Sequence, residues 1–215
     1  GRPESFMYNF IVNPKAGSGK GLRIWKAIAR YMDSHNIEYE VFLTEGIGDA
    51  RTAARRLTDS HDEPRYIIAV GGEGTMNEVL DGVSFHGPLS LGYIPAGSGS
   101  GLARSLRMPG RTIKCLKKQR APRHFTMIDY GVLTYGNQEV SHRRFLVSAG
   151  IGFDAAVCQD ALSSRCRQRL NRFGMGKLSY ILIGIHQFFK CKSSKGYILL
   201  DGIKKVEFNN ILFLS

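Results

Sequence analysis

The chain is expected to fold as an α/β domain with a parallel sheet, followed by a β-rich region. Three observations lead there. From Phe6 to Arg104, apolar strand-like runs alternate with segments of helical periodicity, the pattern of a parallel sheet covered on both faces. Three glycine-rich loops each follow a strand-like run, and ligands of such sheets bind outside the carboxyl ends of the strands. The composition is globular, with 43% hydrophobic and 22% charged residues in 215, enough for one large domain or two small ones.

Phe6 to Val12 is the first strand run. It ends in Asn13-Pro14-Lys15-Ala16-Gly17-Ser18-Gly19-Lys20-Gly21, a turn-rich loop. A helix should follow, with Leu22, Trp25, Ile28, Ala29 and Met32 on one face. Tyr39 to Thr44 is the second strand. Asp49 is the expected N-cap of a helix through Leu57 whose outer face carries Arg51, Arg55 and Arg56. Tyr66 to Val70 is the third strand. Thr75 and Glu78 then have the spacing of a capping box, with Met76, Val79, Leu80 and Val83 on the apolar side. Leu89 to Ile94 is the fourth strand and runs into Pro95-Ala96-Gly97-Ser98-Gly99-Ser100-Gly101, with a short helix beyond.

The pattern changes near Arg107. Residues 107–124 are rich in Lys and Arg and carry Pro109 and Pro122, which suits a short helix and then a boundary. Two domains are therefore expected, 1–122 and 123–215. In the second, Phe125 to Tyr135 and Arg144 to Ile151 are strand runs, with Gly136-Asn137 as a turn. Helical stretches follow at about Asp154 to Asn171 and Lys177 to Lys190, then strands at Tyr197 to Leu200 and Val206 to Leu214. The last residues lie inside an apolar run, so this domain is expected to continue past Ser215.

The formal net charge is +12, from 30 Lys and Arg against 18 Asp and Glu. Such a balance favours anionic partners. The basic segments Arg104 to Arg123 and Arg165 to Lys177 are either solvated helix faces or surfaces for anionic lipid head groups. Nucleic acid is the poorer match, because no aromatic platform or known binding motif accompanies them. Cys115, Cys158, Cys166 and Cys191 form no C-x-x-C pair and suit reduced, structural thiols of a cytosolic protein. The histidines are scattered and pair with no Ser or Cys nucleophile. The longest apolar run, Tyr180 to Phe189, is too short and polar to span a bilayer.

Chemistry concentrates in the glycine loops. Gly17-Ser18-Gly19-Lys20 is not a P-loop: that motif needs Ser or Thr after the lysine, and Gly21 stands there. It can still offer backbone N–H groups and Lys20 to a phosphate, or serve as a plain turn. Gly71-Gly72-Glu73-Gly74-Thr75 has a stronger context, with an apolar strand before it and a helix start after it. Glycine lets the backbone approach a ligand closely, and the helix N-terminus favours an anion. Glu73 either complements the helix dipole or serves in magnesium coordination or general-base work.

Four segments in order resemble one family. They are Asn13 to Gly19, Gly71 to Val79, Pro95 to Arg104, and Ser148-Ala149-Gly150-Ile151-Gly152-Phe153-Asp154-Ala155. Together they resemble the catalytic domain shared by diacylglycerol kinases, sphingosine kinases and their bacterial lipid-kinase relatives, and more distantly NAD kinases and phosphofructokinases. The resemblance implies an α/β domain followed by a β-sandwich with a helical insertion, with ATP held in the cleft between them. It implies an ATP-dependent lipid kinase that passes the γ-phosphoryl group to a diacylglycerol- or sphingosine-like hydroxyl with Mg2+, cytoplasmic and peripheral at the inner face of an anionic membrane. A homodimer is compatible with it. By motif position, Asn13, Lys15, Gly17, Ser18, Thr44, Gly71, Gly72, Glu73, Gly74, Thr75, Met76, Asn77 and Ser98 are expected near the nucleotide, with Glu73 as the catalytic residue. The metal ligands are expected beyond Ser215.

Two positions depart from the family pattern. Glu73 stands where the family usually has aspartate, and the extra methylene moves the carboxylate by about 1.5 Å. A misplacement near 1 Å can cost about a hundredfold in rate. Ser100 stands where the family usually has asparagine. These departures leave room for a nucleotide- or lipid-binding homologue with little catalysis. A soluble-substrate kinase such as an NAD kinase is the other alternative.

Overall fold

The computed structural model describes residues 7–59, 65–97, 101–121, 125, 127–136, 139–146, 149–152, 195–209 and 211–214. Ser98, Ser100, the two expected helices between 154 and 190, and Cys158, Cys166 and Cys191 lie outside the described residues. The chain divides into two compact units, Gly1–Val147 and Ser148–Ser215.

The first unit is built on four parallel strands, β1 (Tyr8–Val12), β2 (Tyr39–Leu43), β3 (Arg65–Gly71) and β4 (Leu89–Pro95), in the order β2-β1-β3-β4. Val12 pairs with Leu43 and Val70, and Val70 with Ile94, so the strands end at nearly one level. Both faces are covered, which is why Phe10 to Val12 and Ile67 to Val70 are apolar without interruption. Ile11, Ile67, Ala69 and Tyr93 face α2 (Asp49–Thr58), α3 (Glu73–Gly82) and α4 (Gly101–Ser105). Phe10, Val12, Ile68, Val70 and Ile94 face α1 (Ala16–Ser34) and α5 (Thr112–Arg120). The two-residue alternation of the pleat sorts one set to each layer.

Several local expectations give way to tertiary contacts. The buried side of α1 is Gly21, Ile24, Trp25, Ile28 and Met32, and Leu22 is exposed. Gly17, Ser18 and Gly19 have left-handed backbone, and this kink sets the phase of the helix after it. Gly48 is the N-cap of α2, and Asp49 is its first residue. Arg51 is not on an outer face, because it pairs with Asp81 of α3 at 3.4 Å. The helix α3 begins at Glu73 behind an extended Gly72, which makes no side-chain cap bond. Thr75 and Glu78 are drawn elsewhere: the Thr75 hydroxyl accepts from Asn13 at 3.4 Å, and the Glu78 carboxylate accepts the Gly48 N–H at 3.0 Å.

The run expected over Phe125 to Tyr135 is strand only in β5 (Gly131–Tyr135), which pairs antiparallel with β6 (Ser141–Phe145). Arg144 to Ile151 is divided between β6 and β7 (Ala149–Gly152). The hairpin packs on α3 and belongs to the first unit. The second unit holds antiparallel pairs, β7 with β10 (Ile211–Leu214) and β8 (Lys195–Leu200) with β9 (Lys204–Asn209). No helix among the described residues is long and apolar enough to cross a membrane.

Candidate functional site

The level ends of β1, β3 and β4 deliver the three glycine loops to one edge. Asn13 begins the first loop. Its N–H donates to the Val70 carbonyl at 2.8 Å, and its side-chain oxygen accepts the Lys15 N–H at 3.0 Å, which closes an Asx turn. Its amide nitrogen donates to Thr75 of the second loop. The Ala96 N–H donates to the Gly71 carbonyl at 2.7 Å, joining the third loop to the second. Gly17 crosses above β3 so closely that a Cβ there would overlap the Ala96 carbonyl oxygen, and its φ is +56°. Gly21 also rests against the Asn13 carbonyl and has no room for a Cβ. Sequence reasoning left it out of the site, although the alternation of Gly17, Gly19 and Gly21 marks it.

The second loop contributes the N-terminus of α3, a ten-residue helix without a side-chain cap. Its first N–H groups have no partner within the helix and carry the positive end of the dipole. Gly74 is exposed, and no described atom lies within 4 Å of where a Cβ on it would stand. Thr75 is buried and packs its side chain on Gly71, which fixes the turn. Met76 points into the core. The Asn77 side-chain oxygen accepts the Leu146 N–H at 3.0 Å. Of the residues expected at the nucleotide, Asn13, Gly17, Gly71, Gly72 and Thr75 are therefore brought together. Asn77 and the Met76 side chain are not, and Ser98 lies outside the described residues.

Lys15 and Thr44 flank the first loop. Thr44 is buried, and its N–H extends the β1–β2 ladder to the Val12 carbonyl at 2.9 Å. The Lys15 ammonium donates to the Glu45 carbonyl at 2.7 Å. The Asp49 carboxylate accepts the N–H groups of Glu45 and Gly46, both at 2.8 Å. These two bonds, with the nearby Lys15 charge, hold the Asp49 carboxyl below its ordinary 3.8. A carboxyl lowered by folding contributes stability above its unfolded value and loses it as pH falls through its folded value. The Glu45 and Gly46 amide signals should therefore titrate with a midpoint below 3.8 in an NMR pH series. A midpoint at or above that value would remove the turn from the structure in solution.

Glu73 lies in the first turn of α3, and its Oε1 accepts the Leu102 N–H of α4 at 2.9 Å. Among the described residues no group of three or more His, Cys, Asp or Glu could hold a metal. A single carboxylate together with phosphate oxygens and water would suffice as a donor set for Mg2+, and Glu73 is the one carboxylate of the second loop.

Residues 7–132 match the family model described as the diacylglycerol kinase catalytic domain. The chain is 31% identical over 179 residues to the Bacillus subtilis (strain 168) protein named "Putative lipid kinase YtlR", covering 82% of this chain and 58% of that protein. It is 32% identical over 123 residues to a diacylglycerol kinase of Staphylococcus saprophyticus, covering 56% and 39%. A crystal structure of a diacylglycerol kinase from Bacillus anthracis str. Sterne aligns with a TM-score of 0.59 at 22% identity, covering 99% of this chain and 64% of that one. At that identity the likeness speaks to the fold. The chain thus spans less than two thirds of each of these relatives.

Proposed function

Because the chain belongs to the diacylglycerol kinase catalytic-domain family, we propose that it carries the nucleotide-binding part of an ATP-dependent lipid kinase. The observation that carries the reading is the meeting of three glycine loops at the uncapped start of α3. Phosphate oxygens accept from the free N–H groups there, and the helix dipole favours their charge. Asn13 and Thr75 hold the first two loops in register, and the bond between Ala96 and Gly71 holds the third. Bound ATP with Mg2+ supplies the γ-phosphoryl group. The chain's own contribution is to bind and orient the phosphates, because this chemistry rests mainly on positioning and charge stabilisation.

The acceptor is a lipid hydroxyl, of the diacylglycerol or sphingosine type. We assign residues 1–122 to nucleotide binding and 123–215 to the lipid side. The excess of basic residues favours work at an anionic membrane surface on the cytoplasmic side. The test is transfer of label from [γ-32P]ATP to diacylglycerol, sphingosine and related lipids in anionic micelles by the full-length protein. Magnesium-dependent labelling of one lipid class, with none of NAD in a lipid-free assay, is the expected result. Labelled NAD without labelled lipid would move the protein to the soluble-substrate kinases, and no labelled product would leave a binding protein.

A further inference from the structure

The acid of the second glycine loop makes a bond that its length alone permits. Oε1 of Glu73 lies 2.9 Å from the Leu102 nitrogen. The same oxygen lies 3.1 Å from where a Cβ on Gly101 would stand. A side chain at position 101 would therefore press on this carboxylate. Aspartate at position 73 is shorter by one carbon–carbon bond, about 1.5 Å, which stretches this contact beyond hydrogen-bond range. Leu102 and Ala103 are buried in the same core cluster as Met76, so α4 is already packed near α3. The carboxylate adds a directional tie at the end of α4 next to the loop. At the other end, Gly97 lies 3.7 Å from where a Cβ on Gly72 would stand. Gly97 and Leu102 are thus both seated on the second loop.

We propose that Glu73 is a positioning residue, matched in length to Gly101, that fixes the start of α4 against the first turn of α3. The longer acid and the missing side chain form a complementary pair. Surroundings agree with a fixed carboxylate. Tyr93, buried among the residues beneath it, has its hydroxyl pushed up to about 12, by burial first and by the Glu73 charge second.

The role depends on reach, not on charge, so the usual ranking of conservative variants is inverted. In hydrogen exchange on the full-length protein, E73D should speed exchange of the Leu102 amide about tenfold, the loss of one hydrogen bond. E73Q keeps an acceptor at the same distance and should leave that amide protected. G101A should speed exchange in the wild-type background and have no further effect in E73D, where the shorter acid leaves room. Unchanged protection in E73D, or equal loss in E73Q and E73D, would overturn the proposal. The effect on nucleotide rests on the ATP reading above. With metal-free ATP as probe, E73D should weaken binding about tenfold, and more than E73Q does. A wild-type protein that binds no ATP would end the kinase reading and leave the Leu102 exchange result to decide the role of Glu73. Affinity lost equally in both variants would give Glu73 a charge role and overturn the positioning one.

Discussion

Gly17→Ala is expected to lower kcat/KM for ATP about a hundredfold, the scale of a misplacement near 1 Å. Two penalties act at once. Left-handed backbone costs an L-residue about 1–2 kcal/mol. The new Cβ would also meet the Ala96 carbonyl oxygen, a backbone atom that cannot swing aside. The first loop must then rise off the third, and the phosphate donors lose their common focus. Gly19 separates the two penalties. Its φ is +91°, but nothing lies within 4 Å of a Cβ there. Gly19→Ala should carry the backbone cost of about 1–2 kcal/mol alone. Ser18 already bears that kind of strain, at φ 57°, inside the same turn. Steady-state kinetics with ATP varied, beside chemical denaturation of each variant, make the comparison. Equal losses in the two variants would mean that the contact with Ala96 is not what shapes the site.

The parts of this site that were legible in the sequence share a physical origin. A strand buried on both faces must be apolar throughout, and a loop that brings backbone to backbone must use glycine. Ile67 to Val70 carries the first signal and Gly17 the second, and both hold in the structure. What was not legible depends on partners distant in the chain. The spacing of Thr75 and Glu78 fits a capping box, yet their side chains bond Asn13 and Gly48. Asp49 has the chemistry of an N-cap and uses it on the N–H groups of Glu45 and Gly46, before the helix. Asn77 belongs to the glycine-loop motif in sequence but stands one helical turn beyond Glu73. That turn carries it to the β5–β6 hairpin. A polar side chain takes whichever donor the fold supplies, and local spacing cannot name that donor. Glu73 is the sharpest case. Sequence comparison marks it as a misfit by one methylene, while the structure supplies Leu102 and Gly101 to receive that methylene.

Asp81 carries the second large prediction, on stability. Its side chain is only 11% exposed and gathers three donors from two directions. Oδ2 accepts from Arg143 at 2.8 Å and from Arg51 at 3.4 Å, and Oδ1 accepts the Arg144 N–H at 2.9 Å. Arg144 returns the contact, donating to the Leu80 and Val83 carbonyls at the end of α3, with its guanidinium 4.8 Å from the Phe85 ring centre. One carboxylate therefore joins α2, α3 and the hairpin. Asp81→Ala leaves a partly buried Arg51 and a backbone N–H without their acceptor, which costs about 2–3 kcal/mol. For a chain of this size that is a fall of about 5–10 °C in Tm. Both arginines are partly exposed, so solvent offsets some of the loss and the figure lies below that of a fully buried pair. Exchange should localise the damage, with amides of β5 and β6 opening first and those of β1 and β3 keeping their protection. A variant within about 0.5 kcal/mol of wild type would place Asp81 among ordinary surface acids and leave the hairpin held by Asn77 and the Arg144 stack. The link from fold to function runs through α3. The helix whose first turn we propose meets phosphate has its last turn fastened by Asp81 and Arg144, so loosening one end should also weaken ATP binding at the other.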